Sequence, residues 1–319
     1  MSTVRMSHRP SMRADSQPAR RLLPFTKMEG IGNDYIYVNA YEHQIDDPSA
    51  LSIRIADRHF GAGADGLILI GPPQEGLNAD VRMRMFNADG SESEMCGNGV
   101  RCVCKYAHDH GLSGANPMRI QTGRGVLSLA YTLNDDHKVD QVTVDMGEPI
   151  LDLAKIPVDE EELSFVGMNH HFGLEVGPEK ADVWLAVFAS MGNPHAVFFD
   201  SENQQIGLNG LKNLEVGRIG PKIENHPAFP KRINAHFVVV HSPTKATMRT
   251  WERGSGITLA CGTGACAVCV AGILTGRFER EVLLHLPGGD LSIRWDEKTN
   301  RVFMTGPARE IFCGHWPLD

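Results

Sequence analysis

The sequence predicts a two-domain α+β protein built by tandem duplication, each half a curved sheet wrapped around one buried helix. Three observations lead there. The block "EMCGNGVRCVCKYAHDHG" around Cys96 returns 165 residues later as "LACGTGACAVCVAGILTG" around Cys261. At the same offset "MRMFN" (Met83–Asn87) falls on "MRTWE" (Met248–Glu252), and Gly111 falls on Gly276. Further segments repeat in order near that spacing: "GLILI" (Gly66–Ile70) with "HFVVV" (His236–Val240), "GVLSL" (Gly125–Leu129) with "GDLSI" (Gly289–Ile293), and Gly32-Asn33 with Gly192-Asn193. A period this long marks a copied domain and not a solenoid.

Taken in order, residues 1–24 carry Arg5, Arg9, Arg13, Arg20 and Arg21 against Asp15 alone. That leader has no apolar core, so it is not a secretory signal. A disordered extension is expected, with a transit peptide as the alternative. Order is expected from Phe25, where "FTKMEGIGNDYIYVNA" starts a strand and a Gly-rich turn. Short strands rich in Val, Ile, Leu and Phe follow, separated by Gly and Pro. One strongly apolar helix follows each motif cysteine. A linker is expected near Gly147–Glu162, where prolines meet an acidic run. The expected division is 1–24, 25–149 and 150–307.

Composition narrows the function. A chain of 319 residues can bury a core in each of two domains. Net charge is −8, and with the leader at +4 the body carries −12, which argues against a nucleic-acid surface. The longest apolar stretch, near Ala265–Leu274, is too short to span a bilayer, so no membrane partner is expected. Seven cysteines, four of them on two helical segments, are not a secreted disulfide framework. Cys102, Cys104, Cys266 and Cys269 are expected to pack as small apolar residues. No metal site is expected, because Cys266-x-x-Cys269 lacks a second pair at zinc-finger spacing. A reducing cytoplasm follows.

In "CGNG" and "CGTG" the glycines allow a tight turn and close backbone approach to a ligand. A helix beginning there offers unbonded N–H groups and about half a positive charge. That end is expected to lower a thiol pKa from ~8.5 toward neutrality and to hold a carboxylate. Two such ends facing one pocket would place a sulfur on each face of an amino-acid α-carbon. Reversible inversion needs one thiolate and one thiol that exchange roles, and the pair does this without a cofactor.

Polar turns add recognition. Asn33, Asn87, Asn193, His195 and Asn234 sit on turns beside strands. Glu252-Arg253 follows the strand leading into the second cysteine turn. Arginine there can grip a carboxylate bidentately, and Glu252 can take an ammonium hydrogen bond or a thiol proton.

In order, "GNDY", "FNADGSE", "CGNGVRC", "MGNPH", "WERGSG", "ACGTGACA" and "LPGGDL" resemble the signature series of diaminopimelate epimerases, from about Phe25 to Phe312. The resemblance implies a cofactor-independent epimerase interconverting LL- and meso-2,6-diaminopimelate, supplying lysine and peptidoglycan precursors. It implies two pseudosymmetric, mostly antiparallel domains, a C-terminal tail (308–319) returning to the first, and a homodimer. Carried over, Cys96 and Cys261 are the acid/base pair. Gly97-Asn98 and Gly262-Thr263 cradle the reacting carboxylate. Asn33, Asn87, Asn193, Asn234, Glu252 and Arg253 hold the distal end, while His195 and Glu252 help cycle the cysteine protons. Gly66 stands where some members have glutamine, and His236 receives no role.

The nearest rival is a proline or hydroxyproline racemase on the same fold. That family places a histidine after the first Cys-Gly, where this chain has Asn98. A phenazine-type isomerase would lack the thiol pair, and a non-catalytic amino-acid-binding protein would not need it. Two further expectations are closure of the halves around ligand and reversible inactivation by a Cys96–Cys261 disulfide.

Overall fold

The structure is a computed structural model that describes residues 21–94, 96–167, 170–176, 183–207 and 210–318. In the first half, Leu22–Gly30 pairs antiparallel with Asn33–Asn39, which runs parallel to Gly66–Gly71. Val81–Asn87 is antiparallel to that strand and parallel to Met118–Thr122. The antiparallel strands Gly125–Leu133 and Val139–Asp145 close the series. The second half repeats it through Val183–Ser190, Pro194–Phe199, Asn234–Ser242, Lys245–Glu252, Glu281–Leu286, Gly289–Trp295 and Val302–Pro307. Its parallel pairs fall at the same two places. Mostly antiparallel halves are therefore borne out, with two parallel pairs in each.

Parallel neighbours cannot be joined by a hairpin and need a crossover, usually a helix. In each half one crossover runs inside the curved sheet. These are the helices Gly97–Asp109 and Gly262–Leu274, each following its motif cysteine. Ala265 to Gly272 are buried without a break, and a helix apolar on every side fits only in a core. The other crossover covers the outer face: Pro48–Ala56 in the first half and, in the second, short helices including Val216–Glu224. Asp47 caps the former, its carboxylate accepting from the Ala50 N–H at 2.9 Å. Cys102, Cys104, Cys266 and Cys269 are fully buried, as expected.

The last strands of the two halves pair with each other. Val144 opposes Leu129 and Met304 opposes Ile293 in matching places, and Val144 and Met304 oppose one another. The pseudo-two-fold axis therefore passes between Val144 and Met304. After this exchange the chain crosses over, Ile150 bridging Ser190 of the second half. The tail strand Arg309–Pro317 returns to pair with Leu22–Gly30.

Two details correct the sequence reading. The first strand begins at Leu22, three residues early, because Pro317 and Trp316 oppose Leu22 and Leu23. Residues 22–24 thus belong to the sheet, the Arg21 carbonyl accepts a hydrogen bond from the Leu318 N–H, and residues 1–20 of the expected leader lie outside the described residues. The match of Gly66–Ile70 with His236–Val240 is also two residues out of register. Leu67 opposes Ile36 as Ala235 opposes Ala196, so Ile68 corresponds to His236. An apolar strand carries little register information, and a shift of two keeps the same face.

Candidate active site

Each motif cysteine is the N-cap of its helix, in extended conformation: Cys96 at φ −132°, ψ 122° and Cys261 at φ −128°, ψ 103°. Cys96 Sγ accepts the Gly99 N–H at 3.4 Å, standing where Ser or Asp commonly caps. The glycines that follow permit close packing. A Cβ on Gly99 would lie 2.9 Å from Ile68 Cδ1, and one on Gly264 would lie 2.2 Å from His236 Cε1.

The two helix starts meet at the pseudo-axis. A Cβ on Gly97 would lie 3.0 Å from Met304 Cε, and one on Gly262 would lie 3.0 Å from Met304 Sδ. One side chain on the axis thus touches both turns. A single cleft of about 980 Å³ opens beside them and is lined by both cysteines. Gly97, Asn98, Gly262 and Thr263 line it too, as do Asn33, Asn87, Asn193, Glu252 and Arg253. Asn98 Oδ1 is buried without a hydrogen-bond partner at this junction.

The diaminopimelate epimerase family model matches residues 25–151 and 187–311, one segment in each half. The chain is 51% identical over 294 residues to a diaminopimelate epimerase of Desulfovibrio desulfuricans, covering 92% of this chain and 98% of that one. The epimerase of Agathobacter rectalis is 48% identical over 292 residues, at 92% and 98% coverage.

This chain belongs to the diaminopimelate epimerase family.

Solved structures share the fold at low identity. A probable proline racemase from Agrobacterium radiobacter K84 superposes with TM-score 0.65 at 13% identity, over 93% of each chain. A hydroxyproline epimerase from Agrobacterium vitis gives 0.64 at 15%, over 95% of this chain and 94% of that one. A PhzF-family protein from Bacillus anthracis gives 0.61 at 14%, over 93% and 100%.

Within the epimerase cleft the thiols have different surroundings. Cys96 donates to Asn33 Oδ1 at 3.2 Å, and Asn33 Nδ2 donates to Asp65 at 2.7 Å. Arg58 bonds Asp65 at 2.9 Å and Asp34 at 2.7 Å, stiffening that wall. Cys261 lies 3.7 Å from Thr263 Oγ1, and Thr258 donates to Glu252 beside it. The expected lowering of both thiol pKa values is overturned in this ligand-free cleft. Burial raises Cys96 against opposing help from the Gly99 and Asn98 amides and the Arg101 charge. Burial and the neighbouring Glu252 carboxylate push Cys261 well above the ordinary thiol value. Burial also raises Glu252. At both sulfurs desolvation outweighs the helix end.

Two predicted residues lie beneath the cleft instead of on its wall. Asn234 donates to Pro194 O at 2.8 Å and accepts from the Arg253 N–H at 3.0 Å, bracing two turns. His195 is fully buried. Its Nε2 meets Asn193 Oδ1 at 2.9 Å, its Nδ1 meets His236 Nε2 at 2.8 Å, and His236 Nδ1 meets Thr250 Oγ1 at 3.0 Å. Since an amide oxygen only accepts, His195 carries its proton on Nε2 and His236 donates from Nε2. Burial keeps both imidazoles neutral, His236 pushed down to about 3.

The sequence reading missed His236, Thr250, Thr258, Asp65, Arg58 and Arg124. Arg124 reaches from the first half to Met191 O in the second at 3.3 Å. Its guanidinium lies over Gly192, at φ 96°, where a Cβ would sit 2.2 Å from Nη2. The alternation of the two strands places His236 and Thr250 on the inner face, and that alternation was readable.

Proposed function

We propose that this chain interconverts LL- and meso-2,6-diaminopimelate by two-base proton transfer between Cys96 and Cys261, a step that serves lysine and peptidoglycan-precursor synthesis. The observation that carries it is one cleft lined by two thiols, each capping its own helix at the pseudo-axis. The free amides of Gly97-Asn98 and Gly262-Thr263 hold the reacting α-carboxylate, where both helix ends favour negative charge. One sulfur, as thiolate, takes the α-hydrogen, and the electron pair stays on carbon against the clamped carboxylate. The other sulfur, as thiol, delivers its proton to the opposite face, so the protonation states swap. Substrate binding expels the remaining water and brings the carboxylate clamp to bear.

Glu252, next to Cys261, and His195 behind it help return the proton. Asn33, Asn87, Asn193, Glu252 and Arg253 receive the distal amino-acid end, with Asn234 bracing the Pro194 and Arg253 turns. No residue here needs a cofactor for this chemistry. We also propose the domain division 22–149 with 308–319, and 150–307. A homodimer is supported by Arg309–Pro317, a strand at the edge of the pairing with exposed Ile311 and Phe312. Light scattering reads that state. The seven unpaired cysteines support a reducing cytoplasm.

The test is LL-diaminopimelate in deuterated water, with Cys96→Ala and Cys261→Ala alongside. The native chain should carry deuterium into the α-carbon and form the meso isomer, and each variant should form it about 10²–10⁴-fold more slowly. Native protein that binds the substrate without exchange would overturn the proposal.

A further inference from the structure

The geometry points to a soft-cation site, of the kind that takes Zn2+, formed by Cys261, His195 and His236 directly behind the cleft. One ligand atom from each residue lies within 4.8 Å of the others, and all three residues are buried. They come from three separate elements. His195 and His236 lie on parallel neighbours, where His195 opposes Asn234 and Val197 opposes His236. Both rings therefore point from one face toward the start of the Cys261 helix, against which His236 packs at Gly264.

The donor set is a nitrogen–nitrogen–sulfur set, which suits Zn2+ and not Mg2+ or Ca2+. His195 holds its proton on Nε2 toward Asn193, so its Nδ1 lone pair faces the site. His236 Nε2 donates into that lone pair in the metal-free state. To bind, His236 moves its proton to Nδ1, where the Thr250 hydroxyl can accept as readily as it donated.

Tetrahedral ligation needs ligand atoms roughly 3.3–3.6 Å apart, given Zn–N near 2.0 Å and Zn–S near 2.3 Å. The rings must part slightly from 2.8 Å and the thiol must swing inward. Glu252, hydrogen-bonded beside Cys261, offers a carboxylate as a fourth ligand. The step is a proton exchange without redox: Cys261 S–H and Zn2+ give Cys261 S–Zn and one released proton. The first half cannot do the same, because Tyr35, Ile68 and Met85 occupy the positions of His195, His236 and Thr250. A cation entering through the cleft would thus take one thiol of the pair and stop inversion. That consequence rests on the acid/base role proposed for Cys261, but the site itself does not.

Co2+ serves as the probe on the full-length, reduced, chelator-treated protein. One equivalent should give a sulfur-to-cobalt charge-transfer band and intense tetrahedral visible bands, bleached by Zn2+, with one proton released. Cys96→Ala should keep the bands, and Cys261→Ala should lose them. His236→Gln and His195→Gln should each weaken cobalt affinity by more than about 100-fold. Epimerisation should fall in step with Zn2+ occupancy, scored against each variant's own metal-free rate. Far-ultraviolet circular dichroism identifies any variant that fails to fold, and the other histidine variant then decides. Absent bands, bands that survive Cys261→Ala, or undiminished affinity in the folded histidine variants would overturn the site. Bands in a protein with no epimerase activity would leave the site standing and overturn the proposed function instead.

Discussion

Set side by side, the two halves agree in backbone and disagree in what stands behind each sulfur. Both place a cysteine at the N-cap of a thirteen-residue helix, and both helices lead into a left-handed glycine, Gly111 at φ 73° and Gly276 at φ 72°. Behind Cys96 lie Tyr35, Ile68 and Met85, with the buried Arg101 on its own helix. Behind Cys261 lie His195, His236 and Thr250, with Glu252 alongside and Cys266 where the first half has Arg101. A cation near one thiol and a carboxylate near the other make twin positions chemically unequal. Duplication preserved what aims the sulfurs, while the surrounding side chains diverged to tune each one.

The largest test of that comparison removes each sulfur in turn. Cys96→Ala and Cys261→Ala should each lower epimerisation by about 10²–10⁴-fold, the range of a positioned acid or base. Turnover measured by chiral chromatography would break the symmetry if one variant stayed near the native rate.

Next comes a methyl group added at matched glycines. Gly264→Ala drives a Cβ to 2.2 Å from His236 Cε1, a buried ring held at both nitrogens. It should cost about 1–3 kcal/mol of stability in urea unfolding. Gly99→Ala meets the flexible end of Ile68 at 2.9 Å, and alanine favours helix, so its cost should stay under about 1 kcal/mol. Equal costs would show that the two turns are equally packed.

The imidazole pair also predicts a pH dependence confined to the second half. The folded values of His195 and His236 lie below the unfolded value near 6.5, so below that pH the unfolded chain binds more protons. Stability should therefore fall as pH drops from about 6.5 toward 3, by roughly 1 kcal/mol per pH unit for His236, with His195 acting in the same direction. Urea unfolding at pH 7, 6 and 5 should show a shallower slope for His236→Gln than for the native chain.

The smallest effect separates the thiols by reactivity. Cys261 is pushed further up than Cys96 and is more deeply buried, so iodoacetamide at mildly alkaline pH should label Cys96 several-fold faster. Peptide mass mapping reads the ratio, and faster labelling of Cys261 would reverse the assignment.

Much of this was legible in the chain. The 165-residue offset, the N-cap cysteines and the polar turns are local patterns, and they brought nine of the eleven carried-over positions other than the cysteines into view on or beside the cleft wall. The Asp47-Pro48 helix start was equally local and went unread, although a capping residue followed by proline is a plain signal. The register of His236 was not legible, because neighbouring apolar strands pair equally well two residues apart.

What the sequence alone determined is the repeated unit: where each helix starts, which residue caps it, and which turns carry asparagine. Those depend on contacts between near neighbours, which spacing records. Tertiary structure alone decided that the final strands of the halves pair across an axis at Met304, that His195 and His236 hydrogen-bond to each other behind one thiol only, and that both thiols are raised. These rest on desolvation and on partners far apart in the chain, and burial is a property of what covers a group.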